Sequence, residues 1–340
     1  MRNIENMDEN MYMIGMKDIR WTIRVFLLSA IIAFFLSIVA YILTLAFAEP
    51  EPVSEVIMST ASAATAKVEV TSNYIDPMWS IFIFNSIAAT CAVIGTGLFM
   101  MVHTLLIADI AMRPKHRIYS RFSIIFEIAM KPLYTLLIKI TALVDRDFSL
   151  IGKSEDKVEG TIWEYCGYGK DEYRMFSYML PYTVPLLILM VNGALMGILL
   201  AFFVFNGAMT GFELFGTKGI FIGLLYNAVY FFISIIPHGI IEIPVILVAA
   251  ALGYRFAYSQ AHDVIDKELF DRNDIIGLKE DAAYTSAAAR EYILSGYTWK
   301  MLAIIILILL IAAYIETDIT LKVVDHVMAV LDGYLEPLLA

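Results

Sequence analysis

The sequence predicts an all-α polytopic membrane helix bundle, with about five spans and a fourth helix broken or kinked at Pro237-Gly239. Three observations lead there. The 340-residue chain is 60% hydrophobic and only 17% charged, whereas soluble domains are about 45–50% apolar and roughly 25% charged. Apolar runs long enough to cross a bilayer recur along its length, about 20 residues being sufficient. Between them, 21 of the 24 Lys and Arg residues fall in alternate polar segments. That alternation is what the positive-inside rule describes.

Residues 1–24 carry Arg2, Lys17, Arg20 and Arg24 and are expected in the cytoplasm. The following run, 25–48, ends in Ala46-Phe47-Ala48, a pattern that resembles a cleavage site. It exceeds the roughly 7–15 apolar residues of a cleaved signal, so it reads as a first transmembrane helix. Residues 49–77 hold one basic residue, Lys67, and read as an external loop; 78–111 form the second span, so that 25–111 make one two-helix segment. The segment 112–180 holds eleven Lys and Arg and reads as a cytoplasmic insert. Within it, Glu127, Lys131 and Lys139 are spaced so as to line one stripe of an apolar helix over 122–144. A helix of that pattern is expected to lie on the membrane surface.

The core, 181–316, holds a third span at 181–205, a short external segment 206–219, a long apolar run 220–258 and a last span 300–316. A cytoplasmic helical loop occupies 254–299, and 317–340 read as an external amphipathic tail. The fourth run is the anomaly. As one continuous helix it would reach nearly 60 Å, about twice the hydrocarbon core. Dividing it into two full spans would move six basic residues to the outside, against the charge pattern. Pro237, Gly239 and Pro244 lie in its middle, so a break, kink or re-entrant turn is expected there, lined by protein rather than lipid.

Ionisable groups inside spans are costly, about 2.5–3.5 kcal/mol each on insertion scales, and each needs a reason. His238 and Glu242 lie four residues apart and share a helix face. Glu316 closes the last apolar run. Asn85, Asn192 and Asn227 add amides, expected to bond neighbouring helices. His103 and Asp109 read as boundary residues of the second span. Gly193-x-x-x-Gly197 and Gly253 are expected to let helices approach closely.

Several functions are set aside by what is missing. A net charge of −10 and a pI near 5.0 oppose nucleic-acid binding. Cys91 and Cys166 have no partner spacing for a disulfide framework or zinc cluster. No nucleophile elbow, HExxH or phosphate loop occurs, so neither enzyme activity nor a cofactor is expected. His238, Glu242 and Glu316 are three metal-ligating types, yet no second histidine accompanies them, and no metal centre is expected.

Pro237-His238-Gly239-x-x-Glu242-x-Pro244, followed by small residues up to Gly253, resembles the core motif of the stage II sporulation protein M family. Asn192-Gly193-x-x-x-Gly197 is similar to that family's preceding helix, Ala-Ala-Tyr-Ile-Glu-Thr-Asp ending at Asp318 to its closing helix, and the element around Asn85 to an earlier polar span. The likeness is good over 181–316 and looser over 78–111; 112–180 has no counterpart, and Thr317-Asp318 stands where the family has proline. The resemblance implies a multi-pass plasma-membrane protein. In spore formers such proteins work with peptidoglycan-remodelling partners during engulfment, and similar proteins occur widely in organisms that never sporulate.

The expected function is therefore a non-enzymatic membrane component of this type. His238, Glu242 and Glu316 would form a buried polar cluster, and 112–180 and 254–299 would dock partner proteins. The alternative is an ion or proton channel or transporter using the broken helix at His238 and Glu242, and ranked below it an intramembrane metallohydrolase with a metal or activated water at those two residues. The bilayer is the one certain partner, and a homo-oligomer is compatible with the sequence.

Overall fold

The computed structural model describes residues 12–47, 74–144 and 160–339. Residues 1–11 of the N-terminus, most of the expected external loop 49–77, and 145–159 of the insert lie outside them. All regular structure among the described residues is helical. Five helical stretches are long and apolar enough to cross a membrane: Met16–Ala46, Pro77–Lys115, Lys170–Phe215, Thr217–Asp266 and Gly296–Tyr334. The chain divides into two compact units.

One unit comprises Gly15–Thr90, Leu186–Ala251 and Met301–Ala340. Its first helix, α1 (Met16–Phe47), starts where Asp18 accepts a hydrogen bond from the Gly15 amide at 2.7 Å. A carboxylate there suits the positive end of the helix dipole. The second, α2 (Pro77–Met100), has Pro77 at its first position, and the Asp76 side chain accepts from the Met78 amide. Proline costs nothing there because that N–H has no intrahelical partner. After α2 come α3 (Val102–Met112), α4 (Arg117–Val144) and α5 (Lys170–Met179), which belong mainly to the other unit.

The helices α6 (Thr183–Phe215) and α7 (Thr217–Asp266) form a hairpin that turns on Gly216 alone, at φ +64°. The expected external segment 206–219 is therefore almost entirely helical. Its glycines explain this: a Cβ at Gly211 would fall on the Gly219 carbonyl, and one at Gly207 on the Gly223 carbonyl. Two Gly-x-x-x-Gly faces meet backbone to backbone, a contact that needs both strands of the hairpin to stay helical up to the turn.

The fourth span is not broken. Helix α7 runs without interruption through Pro237 and Pro244. Each proline removes one amide, which frees the carbonyls of Ile233 and Ile240. Losing two bonds from a 50-residue helix costs less than opening several backbone groups in apolar surroundings. At 1.5 Å per residue the helix is about 75 Å long, so it exceeds the bilayer core. Its length is accommodated because its last residues, from Leu252, fold with the second unit.

The last helix is also longer than its apolar run. Helix α9 (Gly296–Tyr314) passes through a π-helical segment, Ile315–Thr320, into α10 (Leu321–Leu339). The tail read as a separate amphipathic helix thus continues the span. Tyr226 of α7 donates to Asp332 of α10 at 2.9 Å.

The other unit comprises Met1–Ile14, Cys91–Pro185 and Leu252–Lys300, and includes α8 (Ile275–Leu294), capped by Asp274 on the Gly277 amide. Its core is aromatic. Trp163, Tyr173, Tyr178 and Phe270 are buried together with Leu269 and Leu278. His103, read from sequence as a boundary residue, lies fully inside, stacked on Phe270 with centroids 4.6 Å apart and its Nδ1 3.2 Å from the Tyr173 hydroxyl. Asp109 and Glu127 both pair with the buried Arg113.

Segments 112–180 and 254–299, far apart in sequence, are stitched together in this unit. The Trp163 indole donates to the Arg272 carbonyl at 2.9 Å, and Arg174 meets Asp271 at 3.0 Å. Trp163→Ala is expected to lower the unfolding free energy by about 3–5 kcal/mol, the range for emptying a large core site. Thermal unfolding of the detergent-solubilised protein checks this; a variant melting with the wild type would remove Trp163 from the core that joins the segments.

Helix α4 carries no membrane-crossing stretch. Its Glu127 turns inward and accepts from the Gly167 amide at 2.6 Å, while Lys131 stays exposed, 3.8 Å from Glu172. Its apolar residues Ile118, Phe122, Ile125, Phe126 and Leu133 are exposed. Exposed apolar residues beside exposed Arg117, Arg121, Lys131 and Lys139 fit a helix lying at a membrane surface.

Candidate functional site

The first unit brings together three of the singled-out residues. His238 and Glu242 lie one turn apart on α7, and Glu316 projects from the π-helical segment. One ligand-capable atom from each lies within 4.8 Å of the other two. All three are half-buried. The π-helix matters here, because an inserted residue rotates the following side chains relative to an α-helix, and such segments recur at functional sites. In this one, Thr320 donates to the Ile315 carbonyl at 3.0 Å, five residues back, and its hydroxyl lies 3.4 Å from His238 Nδ1.

Asn85 joins the group from α2, its side chain hydrogen-bonded to Glu242. The cluster thus draws on α2, α7 and the π segment. No ion pair reaches Glu242 or Glu316 among the described residues. Two neighbouring carboxyl groups in apolar surroundings, with no Lys or Arg paired to them, must be neutralised by a proton, by His238 or by a bound cation.

A cavity of about 230 Å³ adjoins the cluster, lined by His238, Gly239, Glu242, Asn192, Phe26 and Met196 among others. Asn192 borders that space but spends its amide on its own helix, donating to the Ile188 carbonyl at 2.8 Å. Asn227 likewise donates to the Gly223 carbonyl at 3.3 Å and packs on Gly207 in the hairpin. Among the described residues neither amide bonds a neighbouring helix, which differs from the sequence expectation. The carbonyl one turn back takes one N–H of each amide, a local bond open to Asn on any helix.

The singled-out glycines sit at close approaches rather than in the cluster. A Cβ at Gly193 would lie 2.5 Å from the Phe26 carbonyl oxygen of α1, and one at Gly197 would strike the Ala30 carbonyl. In the other unit, Gly253 of α7 packs against Ala92 of α2. Sequence reading missed Thr320, whose role depends on the π register, and the glycines 207, 211, 219 and 223. The second set carried a readable signal, two Gly-x-x-x-Gly pairs lying on either side of Gly216.

With only helices and five stretches long and apolar enough to cross a membrane among the described residues, and a polar cluster within them, the chain is a multi-pass membrane protein. The chain belongs to the stage II sporulation protein M family, whose model matches residues 149–321, about half of its length. The match takes in the proline-histidine core and Glu316. It begins inside the segment 112–180, for which the motifs offered no counterpart, and leaves out 78–111. Neither a curated protein nor a solved structure matches the chain significantly.

Proposed function

We propose that the protein is a non-enzymatic component of a membrane or envelope complex in the plasma membrane, with its N-terminus in the cytoplasm and its C-terminus outside. In this reading the His238–Glu242–Glu316 cluster clamps α7 to the last helix, and Asn85 adds α2. The segments 112–180 and 254–299 form a cytoplasmic platform for partner proteins, and α4 rests on the membrane surface. The observation that supports this is the second compact unit. The two segments that the Lys and Arg distribution assigns to one side share one aromatic core. Anchoring five helices requires no such body, whereas docking does.

A second reading, a cation or proton pathway, is favoured by the cavity beside His238 and Glu242. Proline-freed carbonyls and helix-borne carboxylates are the materials of transporter sites. Flux measurements in liposomes holding the wild type or Glu242→Gln separate the two. The clamp reading expects no cation, anion or proton flux above protein-free liposomes. Flux in the wild type that Glu242→Gln abolishes, with both proteins folded alike, would replace it with the pathway reading.

A further inference from the structure

We propose that His238, Glu242 and Glu316 bind one divalent first-row transition-metal ion. This deepens the clamp reading and rests on it, because the ion would be what closes the clamp. It also revises the expectation, drawn from the single histidine, that no metal is held.

The chemistry of the donor set is the first reason. One imidazole nitrogen and two carboxylate oxygens lie within 4.8 Å of one another. Small side-chain rotations bring such atoms to the roughly 2.0–2.2 Å at which nitrogen and carboxylate oxygen bind zinc. The imidazole favours a transition metal over Mg²⁺ or Ca²⁺, which take oxygen ligands. Charge is the second reason. Neither carboxylate has a Lys or Arg partner among the described residues, and a divalent ion would neutralise both.

The third reason is the support around the ligands. Metal-binding histidines and carboxylates are held by outer hydrogen bonds that fix their orientation. Here Thr320 engages His238 Nδ1, leaving Nε2 as the nitrogen able to bind, and Asn85 engages Glu242. Thr320 reaches His238 from the same π-helical segment that supplies Glu316. A register shift of one residue would separate the ligand from that support. An ion here would be held by α7 and the last helix together, with the adjoining cavity offering room for a water ligand.

The test uses the full-length chain in lipid nanodiscs, stripped with a chelator, incubated with Zn²⁺ or Mn²⁺ and desalted. Elemental analysis is expected to find about one ion per chain. Glu316→Gln is expected to retain about ten-fold less or lower, while eluting and giving a circular dichroism spectrum like the wild type. If that variant fails to assemble, the wild type alone decides: the added ion raises its Tm and chelator reverses the rise. A wild type that retains no ion and melts identically with and without chelator overturns the proposal. Equal retention by wild type and a folded Glu316→Gln also overturns it, as an adventitious ion only. Flux and metal content are separate readouts. No ion with no flux removes the metal and leaves the clamp, whereas bound ion with Glu242-dependent flux keeps the metal and removes the clamp.

Discussion

Gly211→Leu is expected to be among the most damaging single substitutions in the membrane-spanning unit. The Gly211 Cα faces the Gly219 carbonyl so closely that any Cβ would overlap it, and Gly223 lies 3.2 Å from the same position. The obstacle is helix backbone, not the end of a flexible side chain. Relief therefore requires α6 and α7 to move apart along the whole hairpin, which would also undo the Gly207–Gly223 contact. Overpacking of this kind costs about 3 kcal/mol or more. The measurement is thermal unfolding and size-exclusion elution in detergent, with Gly296→Ala as control, since a Cβ there meets nothing within 4 Å. A Gly211→Leu protein that elutes and melts like the control would show that the hairpin is not packed this closely.

Arg113→Met should be comparably severe, for an electrostatic reason. The Arg113 side chain is 4% exposed and pairs with both Asp109 and Glu127. It also links α3, α4 and the loop before α5, since it lies 3.4 Å from the Tyr165 carbonyl. Removing the cation leaves two carboxylates facing each other in a poorly solvated site, and breaking a buried pair from one side costs about 3–5 kcal/mol. The clean check is a rescue: adding Asp109→Asn and Glu127→Gln to Arg113→Met should recover much of the lost stability, because those changes remove the uncompensated charges. Absence of rescue would assign the loss to packing of the arginine stem instead.

The two substitutions test different kinds of information. The Gly211 contact was present in the sequence as spacing, because two Gly-x-x-x-Gly pairs flanking a glycine turn describe an antiparallel helix hairpin. The Arg113 network was not. Asp109 lies four residues from Arg113 and was readable as a helix pair, but Glu127 reaches it only because α4 folds back.

The candidate site divides in the same way. His238 and Glu242 share a face by helical periodicity alone, and Glu316 was marked by its cost in an apolar run. That these three converge depends on how α7 and the last helix pack. Thr320 reaches His238 only because the backbone is π-helical between Ile315 and Thr320. Hydropathy does not see a one-residue change of register, since the same residues remain helical and apolar on average. The fourth helix shows the opposite failure. Two prolines and a glycine read as a break, kink or re-entrant turn; α7 is not broken, because a long helix in apolar surroundings loses less by giving up two hydrogen bonds than by exposing several.

By itself the sequence determined that this protein is an all-helical bundle with five membrane-crossing stretches. Apolar run length reflects bilayer thickness, and that constraint is local and needs no knowledge of packing. It also determined the motif residues that mark the family. The tertiary structure alone decided that α7 stays whole, that segments 112–180 and 254–299 share one aromatic core, and that His238, Glu242 and Glu316 stand within 4.8 Å of one another. The shared core and the cluster depend on contacts between residues tens to more than a hundred positions apart. Such contacts are set by shape and hydrogen-bond satisfaction between helices, and no local pattern in the sequence records them.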